Sequence, residues 1–227
     1  MRTLFSLALG VLAMALTVTG AANAAENGGA VYAVTYFEAA APDVSKVAAD
    51  ASRFAAASRK QAGNAGFAAF QELGRPSRFA IFEGWHDKTA SDAHNSATTF
   101  RDKLQPLLVG PFEIRDFSGF SIAAPSGQGG RDAVYVVTHV DVFPNGKDQA
   151  AALVAALAEA GRKMPGNLRF DVLQVVGHAN HFTLVEGWRD RKAFDESLMA
   201  TPIREFRQKI TPLEGALYDE RLYHVLQ

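Results

Sequence analysis

The sequence predicts an α+β protein made of two tandem ferredoxin-like βαββαβ modules packed sheet to sheet. Three observations carry that prediction: the chain repeats itself, each repeat orders its strand and helix patterns the same way, and one such module leaves a sheet face uncovered. Sliding the 227-residue chain by 103 positions places Ala30-Val31-Tyr32 on Ala133-Val134-Tyr135 and Glu83-Gly84-Trp85 on Glu186-Gly187-Trp188. Between Arg59 and Asp87 the two copies share 12 identities in 29 positions, where ordinary residue usage predicts about two. Beyond that stretch a three-residue insertion changes the shift to 106, and Phe100, Pro106 and Leu107 face Phe206, Pro212 and Leu213.

Residues 1–24 read as a leader rather than as part of the fold. Arg2 is followed by an apolar run over 4–18 and by Ala22-Asn23-Ala24, the small-x-small pattern of a secretory signal peptide. The run is short for a bilayer span of about 20 residues, so cleavage near Ala24/Ala25 and a periplasmic or secreted protein are expected.

The first module covers residues 30–122. A β-branched and aromatic run over 31–38 predicts the first strand. Val44, Val47, Ala48, Ala51, Phe54 and Ala55 form the apolar stripe of an amphipathic helix. Strands at 67–73 and 79–85 flank the turn Gly74-Arg75-Pro76-Ser77. A second helix over 89–104 and a strand over 112–120 complete the order, which is that of the split βαβ module. Residues 123–131, with Gly127, Gly129 and Gly130, have linker composition. The second module, 132–226, repeats the pattern: strands at 134–141, 170–176, 182–188 and 218–225, a first helix carrying Ala150, Leu153, Val154 and Leu157, and a second over 192–210. A bare apolar sheet face needs cover, and two copies in one chain can cover each other and close a cavity between them.

Composition narrows the chemistry. With 23 basic and 24 acidic residues the net charge is −1, so no nucleic-acid partner is expected. Absence of cysteine excludes disulfides, thiolate nucleophiles and zinc-thiolate sites. No dinucleotide fingerprint, phosphate loop, Gly-x-Ser-x-Gly elbow or His-Glu-x-x-His motif occurs. His178 and His181 sit in a turn without a third ligand in register, too few for a metal site. No cofactor and no metal are expected.

The repeat, the module order, Glu83-Gly84-Trp85 with His94 on the next helix, Phe100 and Pro106-Leu107 together resemble the antibiotic biosynthesis monooxygenase (ABM) domain family of the dimeric α+β barrel superfamily. Glu186-Gly187-Trp188, Phe206 and Pro212-Leu213 carry the same resemblance in the second copy. It implies a fused dimeric barrel and, among several family activities, cofactor-independent oxidation of quinols or polyphenols. Haem degradation in the family uses a first-strand asparagine and a late-helix histidine. Neither the 35–36 and 138–139 pairs nor residues near 103 and 207–209 supply them.

His94 and His139 are the candidate catalytic bases, since an imidazole titrates near neutrality and can take a phenolic proton. His94 falls on Ser197 in the second copy, so the halves are not chemically equivalent. Trp85, Trp188, Tyr36, Tyr135, Glu83 and Glu186 are candidate substrate-binding residues. Each tryptophan reads equally as a packing anchor, and each glutamate as the ion-pair partner of Arg101 or Arg204. By alternation Tyr32, Tyr36, Tyr135 and His139 share one strand face, expected to line the cavity, while Val31, Phe37, Val134 and Val140 pack on helices. The expected activity is a cofactor-independent monooxygenase acting on a quinol or polyphenol, with a small aromatic molecule and O₂ as partners. The alternative is a non-catalytic exported barrel that binds a small apolar molecule, with an interaction module as a third reading. No membrane anchor is expected once the leader is removed, and further homo-oligomerisation of the fused pair is left open.

Overall fold

The computed structural model describes residues 29–124 and 129–227. The leader assigned to 1–24 and the centre of the linker lie outside the described residues. Module 1 contains β1 (Val31–Glu38), α1 (Val44–Ser58), β2 (Asn64–Glu72), β3 (Arg78–Trp85), α2 (Lys88–Ala97), α3 (Phe100–Leu104) and β4 (Glu113–Ser121). Module 2 contains β5 (Val134–Asp141), α4 (Lys147–Gly161), β6 (Asn167–Val175), β7 (His181–Trp188), α5 (Arg191–Leu198), α6 (Thr201–Ile210) and β8 (Asp219–Val225).

The eight strands close into one barrel in the order β1-β3-β2-β8-β5-β7-β6-β4. Within each module the first strand lies between the third and fourth. Across modules β4 pairs with β6 and β8 with β2, all antiparallel. The modules therefore join by hydrogen-bonded edges as well as by their inner faces. Closure removes the open edges that a lone module would present.

Alternation along each strand builds two kinds of core. Tyr32, Val34, Tyr36, Phe70, Phe82, Phe117, Val137, Leu173, Val185 and Tyr223 fill the barrel interior. The opposite face packs beneath the helices, as one cluster around Phe37, Val47, Phe67, Phe79, Trp85 and Leu104 and another around Val136, Val154, Phe170, Trp188 and Phe206. The face expected to meet helices does so, and the tyrosine/histidine face turns inward.

The second helix of each module is broken where one continuous helix is expected. In module 1 Thr98 is extended, and its hydroxyl accepts from the Phe100 amide, so side-chain bonding displaces the helical pattern. In module 2 Ala200 is extended and Pro202 starts α6, where its missing N–H costs nothing. The breaks separate segments of unequal length: α3 has 5 residues and α6 has 10.

Candidate functional site

The Glu-Gly-Trp motif ends β3 and feeds α2. Gly84 is required by its neighbour, because a Cβ there would lie 2.9 Å from the ring of Tyr32 on the barrel side. Glu83 and Trp85 consequently point away from the barrel, toward the helices. Two residues later the Asp87 carboxylate accepts from the Ala90 amide at 2.8 Å and caps α2. Two helical turns beyond that cap, α2 lowers His94 onto Trp85.

His94 is buried, with 4% of its surface exposed, although a helix residue after a polar run could equally have faced water. Its ring stacks on Trp85 with centroids 4.6 Å apart and meets Phe54 at 5.4 Å and Phe67 at 5.5 Å. Nδ1 lies 2.6 Å from Gln61 Oε1 at the end of α1. With that oxygen as acceptor, Nδ1 carries the proton and Nε2 presents a lone pair toward Glu83 Oε2, 3.9 Å away. The Trp85 indole N–H donates to the same carboxylate oxygen at 3.0 Å, and the Arg101 guanidinium stands 3.8 Å from the other.

Burial sets the charge states. It pushes Glu83 above the usual carboxylate range, against the pull of Trp85 and Arg101. It pushes His94 below the usual histidine range, and Arg101 adds to that effect. The pair is a neutral imidazole beside a carboxyl group that gains from any positive charge formed on the ring.

Module 2 retains part of this arrangement. Trp188 donates to Glu186 Oε2 at 3.0 Å, and Asp190 caps α5 through the Ala193 amide. Burial raises Glu186 to about 8. Arg204 does not reach it: the cation acting on Glu186 is Arg207, which itself bonds Glu220 at 2.8 Å. Ser197 replaces the imidazole and donates to the Phe194 carbonyl. The polar residues around His94 also vanish, since Gln61 corresponds to Met164 and Ser58 to Gly161.

Access differs between the halves. In module 2 α6 packs on α4, with Ile203, Phe206 and Ile210 buried beneath it. In module 1 a cleft of about 690 Å³ opens between α1 and the α2–α3 segment, with Phe54, Ser58, Gln61 and Phe100 in its lining. Gln61 and Phe54 touch His94, so the imidazole lies directly behind the cleft wall that these two residues form.

The remaining candidates stand elsewhere. Tyr36 and His139 meet inside the barrel, where the tyrosine hydroxyl is hydrogen-bonded to Nε2 at 2.9 Å and Nδ1 to Thr183 Oγ1 at 2.9 Å. Both imidazole nitrogens are engaged, and burial lowers His139 to about 4. Tyr36 lines a 350 Å³ cleft and Tyr135 a 550 Å³ cleft, both formed by residues of the two modules. The expected single cavity between the modules, gathering all candidates, is thus replaced by separate clusters. Side-chain alternation puts Glu83, Trp85 and His94 under the module 1 helices, and Glu186 and Trp188 under those of module 2. The fully buried Trp188 lines no cleft among those described. Among the described residues no three histidine or acidic side chains are grouped to hold a metal ion, and no helix is long and apolar enough to cross a membrane.

The family model for antibiotic biosynthesis monooxygenases matches twice, over residues 30–104 and 133–209. The chain belongs to the antibiotic biosynthesis monooxygenase family. An uncharacterised protein of Synechocystis is 25% identical over 100 residues, spanning 44% of this chain and 68% of that protein. A candidate monooxygenase of Fusobacterium nucleatum superimposes with a TM-score of 0.82 at 15% identity, covering 88% of this chain and 94% of that one. A second, from Lactobacillus acidophilus, gives 0.75 at 13% identity over 88% and 95%. An anthrone oxidase-like protein gives 0.62 at 13% over 90% and 94%. These likenesses show a shared monooxygenase-type fold spanning both ABM domains.

Gln61 and Ser58 are site residues that motif reading missed, whereas Arg101 stands beside Glu83 as expected. The signal lay in the repeat, because Gln61 and Ser58 are polar in one copy and apolar or absent in the other.

Proposed function

We propose that this protein is a cofactor-independent monooxygenase of quinols or polyphenols with one working site, under the module 1 helices. The observation that carries this reading is His94: an imidazole held by Gln61 through Nδ1, with Nε2 bearing no hydrogen bond beside Glu83, directly behind the Gln61–Phe54 wall of an open cleft.

The chemistry asks little of the protein beyond a base, orientation and exclusion of water. His94 Nε2 takes a hydroxyl proton from the quinol, and Glu83 stabilises the imidazolium that forms. The resulting anion supplies electrons to O₂. One oxygen atom bonds to a ring carbon, the O–O bond breaks, and the other oxygen leaves as water. A quinol plus O₂ then gives a hydroxyquinone plus water, with no external reductant. Phe54, Phe67 and Phe100 keep the imidazole dry and offer aromatic faces to the ring.

Oxygen uptake with a panel of quinols under metal-free conditions tests the reading. The expected result is uptake with release of hydroxyquinone and water. Stoichiometric quinol binding without uptake would replace it with that of a small-molecule-binding barrel. The leader pattern in residues 1–24 supports placing the protein outside the cytoplasm, so the exported form should begin near Ala25 on N-terminal sequencing. A cell-associated form still starting at Met1 would contradict export.

A further inference from the structure

The walls of the module 1 cleft say more about its ligand than its floor does. Phe54 and Phe100 stack face to face at its base, 3.9 Å between centroids and 5° from parallel. Around the mouth stand Lys46, Arg53 and Lys103. The single carboxylate among the lining residues, Asp50, is shared by Lys46 and Arg53. Lys103 has no ion-pair partner among the described residues, so the rim carries a surplus of positive charge on a chain whose net charge is −1. Deeper in, Ser58 lines the same cleft, is 1% exposed, and its hydroxyl has no hydrogen-bond partner. A buried hydroxyl left unpaired is costly, and a ligand oxygen would satisfy it.

The second module serves as an internal control. Lys46, Asp50 and Arg53 correspond to Gln149, Leu153 and Ala156, Phe54 to Leu157, and Ser58 to Gly161. Where the cleft is closed, the counterparts of Lys46, Arg53, Phe54 and Ser58 have lost the charge, the ring and the hydroxyl, while Phe100 and Lys103 keep theirs in Phe206 and Lys209; only in module 1 do all of these features occur together.

We propose that this cleft selects a planar aromatic hydroxy acid: a fused ring that lies against Phe54 and Phe100, a ring hydroxyl directed inward, and a carboxylate held at the rim by Lys46 and Lys103. The proposal rests on the reading of the cleft as the entrance to the oxidation site, and it narrows the substrate from quinols in general to those bearing an acid group. Aromatic stacking supplies affinity that is insensitive to salt. The lysines supply discrimination that salt screens.

Binding of redox-inert probes to the full chain separates this proposal from the chemistry. Calorimetric titration with 1-hydroxy-2-naphthoate and with 1-naphthol compares the same ring and hydroxyl with and without the carboxylate. The acid should bind about tenfold more tightly at low salt, the sum expected of two exposed charge contacts, and the preference should shrink at high salt. A Lys46→Gln/Lys103→Gln double variant should lose most of the preference while binding 1-naphthol as before. Equal affinity for the two probes, or a preference untouched by the double variant, would overturn the proposal. A preference that behaves as expected in a protein showing no oxygen uptake would uphold the ligand class and overturn the oxidation reading instead.

Discussion

His94 and Ser197 occupy equivalent positions and show how much one residue decides. Both are buried on the helix face of the sheet beside a Glu-Trp hydrogen bond. One is a base with a free lone pair, and the other spends its hydroxyl on a backbone carbonyl. Glu186 is the residue-scale consequence of the missing imidazole. Its ordinary value is 4.5 and burial raises it to about 8, so the folded state keeps a proton that the unfolded chain gives up. Its stabilising contribution is fully present below pH 4.5 and is lost as the pH rises toward 8. Glu186→Gln, which can still accept from Trp188, should therefore match the parent near pH 4 and exceed it by roughly 4–5 kcal/mol at pH 9 in chemical denaturation. Equal stability at both pH values would mean that the carboxyl is not held neutral. That Glu83 and Trp85 share a strand face was legible in their spacing, but which face it is was not, nor was the burial of His94 against them. Period-two alternation says which residues share a face and leaves open which face meets the helices. Gln61 was not legible from its own neighbourhood at all, because its role comes from a contact 33 residues away.

Among the elements, the contrast between α3 and α6 controls access. The three-residue insertion falls in the segment that leads into Phe206 and gives α6 an additional stretch bearing Ile203, which packs into the module 2 core. The shift of the repeat from 103 to 106 was visible in the sequence, whereas its effect on the cleft depends on which helix it lengthens and what lies beneath. The strands were legible because β-branched and aromatic runs over 31–38 and 134–141 leave little choice. The two breaks in the second helices were not anticipated, since apolar spacing runs across both and only Thr98 and Pro202 interrupt it. If Ile203 closes module 2, then Ile203→Ala should leave a void against α4 and cost about 2–4 kcal/mol, measured by denaturant unfolding. A loss below about 0.5 kcal/mol, the range of surface substitutions, would show that it contributes no core packing.

At the scale of the whole molecule, duplication turned a pair of modules into one barrel with unequal halves. The tandem arrangement was legible because 103-residue self-similarity needs no structural assumption. Pairing of β4 with β6 and of β8 with β2 was not, since edge register depends on where each strand meets its partner. Residues 29–124 expressed alone would expose the edges of β2 and β4 together with the face of Tyr32, Tyr36, Phe70 and Phe82. They should self-associate or aggregate in sedimentation analysis, and a stable, well-folded monomer would contradict the shared-barrel account. The central claim, that one half works and the other supports it, is tested most directly by the oxygen-uptake rate of His94→Ala and Ser197→Ala side by side. The account predicts a loss of about 10²–10⁴-fold for His94→Ala, the usual contribution of a positioned base. It also predicts a parent rate that falls on acidification through a value below 6.5, as His94 gains its proton, and little change for Ser197→Ala. Uptake that survives His94→Ala within about threefold, or that falls equally in both variants, would contradict it.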